Sequence, residues 1–476
     1  MHAQRRWVLA LTAIASLMVA LDTLLVSTAL TTIRLDLGAS LEALEWTANA
    51  YNLSLAVLLM PAAALGDRFG RRRMFAAGLG LFVAASAACA LSTDAGTLIA
   101  ARAVQGAGAA LIAPAALTLL LTMFMGEPRE LTRALALYGA AAPAGGTAGV
   151  FLGGVITEWV SWPWVFYINI PIALLVLAVI PSLMPSAPTR RGTIDLAGAA
   201  TVTAGLGLAV FGIVRAPEEG WGSTVTILSL AGAVVLLAAF TLIQRSRTEP
   251  LMRLAILRTP NLSAANVAQV LLGAAWIPMW FFLNLYLQQV LGFGAFAGGS
   301  ALLPMTVTIM VLMILVAPRV IGRFGFKAPI VVGLWLLALG LVGLSFARPD
   351  GNFAADVLPA SLIAATGMAL AFIPSLGTAI SSAPPEEGGL AAGIVNTSYQ
   401  VGSALGLAAM TALAAARGAD QLGDRQALTD GFSAAFLGAA ALAALGGVLA
   451  LITLRQPQPS PQASPEPELT PIEEAL

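Results

Sequence analysis

The sequence contains very few of the residue types that build catalytic and metal sites. Its 476 residues include one His (His2), one Cys (Cys89) and one Lys (Lys327), and 10% are charged, against about 25% in average soluble domains. A single Cys cannot form an intramolecular disulfide, and one His with one Cys cannot supply a zinc site. We therefore expect no metal and no cofactor, and we interpret Cys89 as a small core residue.

The same scarcity excludes two classes of binding protein. A Walker A loop needs a Lys followed by Ser or Thr, but Lys327 is followed by Ala328. The net charge is zero and no basic tract resembles a nucleic-acid footprint. We therefore expect neither ATP nor nucleic acid as a partner.

Long uncharged stretches dominate the sequence instead. Cutting the chain at its charged residues leaves twelve of them, each long enough for the roughly 20 apolar residues of a bilayer-spanning helix. The longest, residues 259–318, has a Gly-rich break at 292–299 and predicts two helices. Residues 7–33, interrupted by Asp22, add another. The sequence thus predicts an all-α polytopic membrane protein with fourteen transmembrane helices.

Basic residues predict the orientation of the chain. Most of the 24 Lys and Arg fall in the loops that share a side with both termini, which places the termini in the cytoplasm by the positive-inside rule. The first apolar run exceeds the signal-peptide core of about 7 to 15 residues, so we expect it to be retained. The abundance of Ala, Gly and Arg indicates a GC-rich genome, and we expect a multi-pass protein of a bacterial plasma (inner) membrane.

A loose internal repeat indicates two halves. The segment Asp67–Arg71 after the second helix has a partial echo in Gly322–Gly325 after the tenth. These helices are equivalent if two six-helix bundles are separated by an inserted pair, and parallel halves characterise one large transporter architecture. The predicted units are an N-terminal bundle at 1–181, a linker region with inserted helices seven and eight at 182–260, a C-terminal bundle at 261–455 and a disordered cytoplasmic tail at 456–476.

Two ionisable residues lie within predicted spans. Because a charge at mid-membrane costs a few kcal/mol, such residues are functional candidates. Asp22 is either a carboxylate that takes up and releases protons or a permanently paired structural acid. Arg102 keeps its proton, so it either tunes a carboxylate or extends toward the membrane interface. Gln105 shares its helical face.

The loop after the second helix combines glycine with charge. The basic run is explained by a topology anchor, but that function does not require Asp67, which can bond a helix N-terminus or an Arg. A latch that breaks and forms between two states is the alternative hypothesis. The residues assigned to this conformational-switch loop are Gly66, Asp67, Arg68, Gly70, Arg71 and Arg72.

The fifth helix has a stripe of glycine. Gly145, Gly149 and Gly153 recur at a spacing of four, with Gly154 adjacent. A smooth stripe allows another helix to pack closely, and the spacing leaves open whether that contact also moves.

Other polar and aromatic residues within spans are candidates for a substrate cavity. The amides are preferred, because Trp and Tyr near helix ends often lie at the membrane interface. The candidates are Asn49, Tyr51, Asn52, Gln105, Trp276, Trp280, Tyr286, Asn396 and Gln400.

These motifs resemble those of the fourteen-helix drug:proton antiporters of the major facilitator superfamily, over nearly the whole chain. The Gly66–Arg73 loop resembles the superfamily signature, and Leu21–Thr23 resembles the helix-one signature of the branch. The motifs around Arg102 and Gly145 resemble the proton-transfer and antiporter motifs. A further pattern resembles the family's helix thirteen: Gly393, Asn396, Thr397, Gln400, Gly402 and Gly406.

The sequence departs from the family pattern at four places. Val150 stands where the antiporter motif usually has Pro, which leaves antiport or symport open. Ser27 and Thr31 replace the usual Asn and Pro of helix one, and Pro163 replaces an Arg near helix six.

The resemblance implies proton-coupled efflux of amphipathic drugs or antibiotics by alternating access. The expected substrate is neutral or monocationic, the expected driving force is the proton gradient, and the expected state is a monomer in the lipid bilayer. A proton:nutrient symporter or facilitator on the same fold is the main alternative, and a membrane sensor is another. We expect no enzymatic activity.

Overall fold

The computed structural model describes residues 2–39, 41–124, 127–184, 195–247, 250, 254–383, 388–419, 421 and 423–455. The tail predicted at 456–476 and part of the linker region predicted at 182–260 lie outside the described residues. Almost all of the described chain is helical. The apolar stretches form the helices, and the charged residues lie mostly at their ends.

Each of the fourteen predicted helices has a counterpart in the structure. The first six are α1 (His2–Leu37), α2 (Leu41–Phe69), α3 (Arg71–Ala90), α4 (Ala95–Phe124), α5 (Pro128–Trp159) and α6 (Trp164–Leu183). The predicted inserted pair is α7 (Leu196–Glu219) and α8 (Thr224–Ser246). The last six are α9 (Pro260–Val290), α10 (Phe296–Phe324), α11 (Lys327–Leu344), α12 (Phe353–Ser382), α13 (Gly388–Ala415) and α14 (Arg425–Thr453).

Twelve of the described helices are long and apolar enough to cross a membrane. The other two, α2 and α13, are also long, with 29 and 28 residues. The structure is therefore that of a multi-pass membrane protein. The count of fourteen spans is compatible with it and stays a prediction.

The two sets of six helices pack in the same order. In the first set α1 contacts α4, α5 and α6, α4 also contacts α2 and α3, and α3 contacts α6. In the second set α9 contacts α12, α13 and α14, α12 also contacts α10 and α11, and α11 contacts α14. This repeated pairing relates α2 to α10, as the sequence echo predicts. The predicted domain boundaries themselves stay a prediction.

The echoed loops both turn at a glycine with positive φ. Gly70 after α2 and Gly325 after α10 have φ of 95° and 71°, a region that favours glycine because it has no Cβ. The guanidinium of Arg68 lies 5.6 Å from the ring centroid of Phe69, and that of Arg323 lies 5.3 Å from that of Phe324. The sequence echo therefore corresponds to a repeated turn.

The inserted pair packs beside the boundary between the two sets. Helix α7 contacts both α2 and α13, and Trp46 of α2 packs against Phe211 of α7 with ring centroids 5.7 Å apart. We call the end of the bundle where α1 begins and α14 ends the terminal side. There an apolar cluster joins both sets and the inserted pair, and it includes Leu121, Phe124, Phe240, Leu376 and Val395. The two halves are therefore in contact at the terminal side.

The glycine stripe of α5 packs directly on α1. A Cβ at Gly149 would lie 2.6 Å from the carbonyl oxygen of Leu21, and one at Gly145 would collide with the carbonyl of Leu17. Gly153 faces Thr28, and Gly154 is buried beside it. The stripe thus permits a close α1–α5 contact one residue from Asp22.

We predict that Gly149→Ala destabilises the protein, because its Cβ would push against rigid backbone. Overpacking of this kind costs about 1–3 kcal/mol of unfolding free energy. The measurement is the thermal unfolding midpoint of the purified protein in detergent, followed by tryptophan fluorescence. Gly80→Ala in α3 is the control, since a Cβ there meets nothing within 4 Å. Equal midpoints for the two variants would contradict the packing argument.

Candidate functional site

Two buried charges from α1 and α4 form an ion pair in the N-terminal set. The Nη1 atom of Arg102 donates to Oδ2 of Asp22 at 2.6 Å, and the two side chains are 1% and 0% exposed. A buried charge without a partner would be very costly, so each residue compensates the other. Arg102 is directed into the bundle and not toward a membrane interface.

Two amides complete the surroundings of the carboxylate. Gln105 Nε2 donates to Oδ1 of Asp22 at 2.9 Å, and Asn169 Nδ2 of α6 donates to the same oxygen at 2.7 Å. The Gln105 amide also donates to Ser86 Oγ of α3 at 2.9 Å and accepts from Arg102 at 2.7 Å. The carboxylate therefore accepts three hydrogen bonds in a fully buried position.

The remaining surface of the guanidinium meets backbone and aromatic rings. Arg102 Nε donates to the carbonyl of Thr47 at 3.1 Å. Its guanidinium carbon lies 4.2 Å from the ring centroid of Tyr51 and 5.9 Å from that of Phe166. A cation over an aromatic face is attracted by the ring quadrupole. The charge is thus held by ion pairing, hydrogen bonding and aromatic contact.

The start of α4 determines how far along the helix Arg102 lies. Asp94 precedes the first helical residue, and its Oδ1 accepts from the backbone N–H of Thr97 at 2.9 Å, as an N-cap does. These hydrogen bonds from Thr97 hold the pKa of Asp94 below its ordinary value. Because α4 begins at Ala95, Arg102 lies two turns inside the helix.

The arrangement links protonation to packing. An ionised carboxylate is a pure acceptor, whereas a protonated one carries a donor. A proton on Asp22 would remove the counter-charge of Arg102 and weaken the hydrogen bonds that the carboxylate accepts from α4 and α6. The site can therefore convert a proton-binding event into a change of contact among α1, α4 and α6.

Sequence reasoning missed part of this cluster. Asn169 lies in the long uncharged stretch at 159–189, and an amide within an apolar span was the available signal. Ser86 and the Thr47 carbonyl gave no comparable signal. Cys89, interpreted as a core residue, is buried and its Sγ lies 3.8 Å from Gln105 Oε1.

The switch-loop residues contact helix ends of the same set. Arg71 Nη1 donates to Thr122 Oγ1 of α4 at 2.7 Å, and Arg72 Nη1 donates to the carbonyl of Met184 at the end of α6 at 3.0 Å. Gly66 is buried at the end of α2. The side chain of Asp67 lies outside the described part of the structure, so the latch stays a prediction.

The cavity candidates fall in different places. Tyr51 and Gln105 belong to the ion-pair cluster. Trp276 is buried, with its ring centroid 6.2 Å from that of Trp280, and Tyr286 donates to the carbonyl of Arg348 at 2.6 Å, so it anchors the loop before α12.

The amides on α2 and α13 are more open. Asn52 is exposed, Asn49, Asn396 and Gln400 are half-buried, and the Asn396 amide donates to the carbonyl of Ala392 at 3.1 Å. Their role in a cavity stays a prediction.

We predict that Arg102→Gln destabilises the protein far more than the double variant Asp22→Asn with Arg102→Gln. The single change leaves a buried carboxylate without its counter-charge, which costs about 3–5 kcal/mol, whereas the double change leaves neutral amides. Thermal unfolding midpoints in detergent at neutral pH test this, with exposed Arg417→Gln as control. A double variant no more stable than the single one would refute the role of charge compensation.

Three comparisons agree with this architecture. Residues 12–407 match the family model described as Major Facilitator Superfamily. The chain is 35% identical to the cephamycin export protein CmcT of Amycolatopsis lactamdurans, over 94% of this chain and 93% of that protein. It is 37% identical to the tetracenomycin C resistance and export protein of Streptomyces glaucescens, over 87% of this chain and 77% of that protein.

A solved structure supports the fold. The proton:xylose symporter XylE superposes with a TM-score of 0.68 at 13% identity, over 94% of this chain and 95% of that one. At this identity the likeness shows the fold alone. The chain belongs to the major facilitator superfamily, in which its relatives include antibiotic export proteins.

Proposed function

We propose that the protein exports small amphipathic antibiotics or drugs in exchange for protons. The observation that supports proton coupling is the fully buried Asp22–Arg102 ion pair. Its carboxylate accepts hydrogen bonds from amides of two helices. The similar export proteins for cephamycin and tetracenomycin C support the substrate class. We infer a transporter and not an enzyme.

In the proposed cycle the proton and the substrate use different states. Asp22 takes a proton from the external side, which neutralises the carboxylate and loosens its contacts with Arg102 and Asn169. The halves then exchange accessibility, and the proton leaves toward the cytoplasm as the ion pair re-forms. A proton crossing 100 mV releases about 2.3 kcal/mol, so the gradient is the power source and no cofactor is needed.

The two halves meet at the terminal side through the apolar cluster around Phe124 and Leu376, and they also meet nearer the opposite end, where Phe151 packs on Phe296. We place the termini, and with them the terminal side, in the cytoplasm of a bacterium, with the protein in its plasma membrane. The charge distribution of the loops supports this orientation.

The proposed cavity favours neutral or singly charged cationic compounds. Asn49, Asn52, Asn396 and Gln400 supply hydrogen-bonding amides on α2 and α13. The one buried carboxylate of the cluster is already paired with Arg102. A dication would therefore find little compensation in this cavity.

We predict that Asp22→Asn abolishes substrate-dependent proton release from acidified everted vesicles, down to the level of vesicles without transporter. The amide preserves the shape of the side chain but cannot carry the proton. A dye that reports internal pH is followed while antibiotics and dyes are added, and radiolabelled substrate measures binding separately. Binding is expected to persist.

The matched control is Asp430→Asn, an exposed acid of α14 that accepts from Gln426 at 2.9 Å. It should couple like the native chain. Full proton release by Asp22→Asn would remove this residue from the mechanism. Substrate that leaves the vesicles together with the proton would instead indicate the symporter alternative, which Val150 in the antiporter motif leaves open.

A further inference from the structure

The C-terminal set contains a basic pocket outside the Asp22 cluster. It has a volume of about 340 Å³ and lies at the terminal side, where α9 and α11 begin and α12 and α14 end. Lys327 and Arg455 line it, together with the hydroxyls of Thr378 and Ser382 and the side chain of Asn261. The residues that the structure shows lining it include no acid.

The equivalent position in the N-terminal set can be found from a repeated hydrogen-bond pattern. Helices α4 and α12 carry the same hydrogen-bonded series, in which a Thr donates to a Pro carbonyl and the next hydroxyl donates to that Thr carbonyl. The equivalent residues are Pro114, Thr118 and Thr122 on α4, and Pro374, Thr378 and Ser382 on α12. The hydroxyl at the end of each series can therefore be compared directly.

In the N-terminal set this place is filled by guanidinium groups. Arg71 reaches Thr122, and Arg72 reaches the carbonyl of Met184, the residue that ends α6. Counting from Gly70 and Gly325, their counterparts are Phe326 and Lys327. An ammonium is a compact charge on a flexible stem and lacks the planar fork of Arg, so the equivalent space stays open.

The open pocket is preorganised for an anion. Asn261 bonds the backbone of Arg455 in both directions, at 2.9 and 3.0 Å, which fixes the end of α14 beside the start of α9. In the first turns of α9 and α11, the backbone N–H groups of Asn261, Leu262, Lys327 and Ala328 have no acceptor within their own helix, whereas Pro260 and Pro329 have no N–H. Lys327 and Arg455 have no carboxylate within ion-pair distance among the described residues. Two cations and two helix N-termini therefore line the pocket, with no carboxylate among the described residues that surround it.

The surface beside the pocket is apolar. Leu451 and Ile452, in the last turn of α14, are 55% and 72% exposed. In a membrane protein such a face contacts lipid chains. The pocket, with its basic and hydroxyl-bearing lining, thus adjoins an apolar surface that faces lipid.

We propose that this pocket binds a phosphate group, carried by an anionic phospholipid. The phosphate lies between Lys327 and Arg455 with Ser382 at its floor, and the acyl chains lie along Leu451 and Ile452. Phosphate is the chemistry that two cations with exposed helix N–H groups favour. The site does not depend on proton coupling, so its test is independent of the transport mechanism.

The experiment measures lipid binding to the full chain purified in an uncharged detergent. Native mass spectrometry counts bound phosphatidylglycerol during a titration, with phosphatidylcholine as the zwitterionic reference. The double variant Lys327→Gln with Arg455→Gln should bind phosphatidylglycerol about 25-fold more weakly, since each basic residue contributes about fivefold at an anionic lipid surface. The matched control Arg417→Gln with Arg425→Gln removes the same charge near the α13–α14 loop and should bind normally.

A second variant distinguishes binding in the pocket from non-specific attraction of the lipid to positive charge. Ser382→Phe fills the pocket without changing the charge and should also lose the specific lipid, while its unfolding midpoint before lipid addition confirms the fold. Equal loss in both charge variants, or full binding by Ser382→Phe, would overturn the proposal. Competition by glycerol phosphate at equal concentration would assign the phosphate site to a soluble ester. Equal binding of phosphatidylglycerol and phosphatidylcholine would overturn the assignment to an anionic phospholipid.

Discussion

The bilayer core cannot solvate an ion, so a charge placed there must find its partners inside the protein. The Asp22 carboxylate and the Arg102 guanidinium meet this requirement with groups from α1, α2, α3, α4 and α6. The N-terminal set is therefore organised around an ion pair that has a fixed geometry and no net charge. Because each contributing helix supplies a donor, an acceptor or an aromatic face, the charge state of one carboxylate bears on the packing of the whole set.

The described part of the C-terminal set has the same helix pairing but no buried ion pair. Its buried polar groups among the described residues are neutral, as in the bond from Gln269 Nε2 to Ser375 Oγ at 2.9 Å. Neutral hydrogen bonds depend little on pH in the physiological range, so this set offers the proton no comparable site. The repeat in backbone architecture thus accompanies a difference in chemistry, because among the described residues of the two sets the buried charges lie in the N-terminal one.

Sequence patterns predicted the features that depend on rare residues. Asp22 and Arg102 stand out because charge within an apolar span is costly, and the glycine stripe stands out by its spacing. Asn169 was missed because a neutral amide is tolerated in a membrane helix and gives no charge signal. The hydrogen-bond acceptors of Arg71 and Arg72 depend on which helix ends lie next to the loop. The packing of the helices determines this, so the sequence of the loop could not predict it.

The order of contacts shows how a local change at Asp22 would reach the other half. Helix α5 lies against α1 at Leu21, and its Thr147 hydroxyl meets that of Thr306 on α10, while Phe151 packs on Phe296 with centroids 5.1 Å apart. With no side chain at Gly149, α5 cannot move toward α1, because backbone already touches backbone. A shift of α1 that follows loss of the ion pair would therefore displace α5 as a rigid element. The glycine stripe therefore connects the buried pair, through α5, to the contacts with α10.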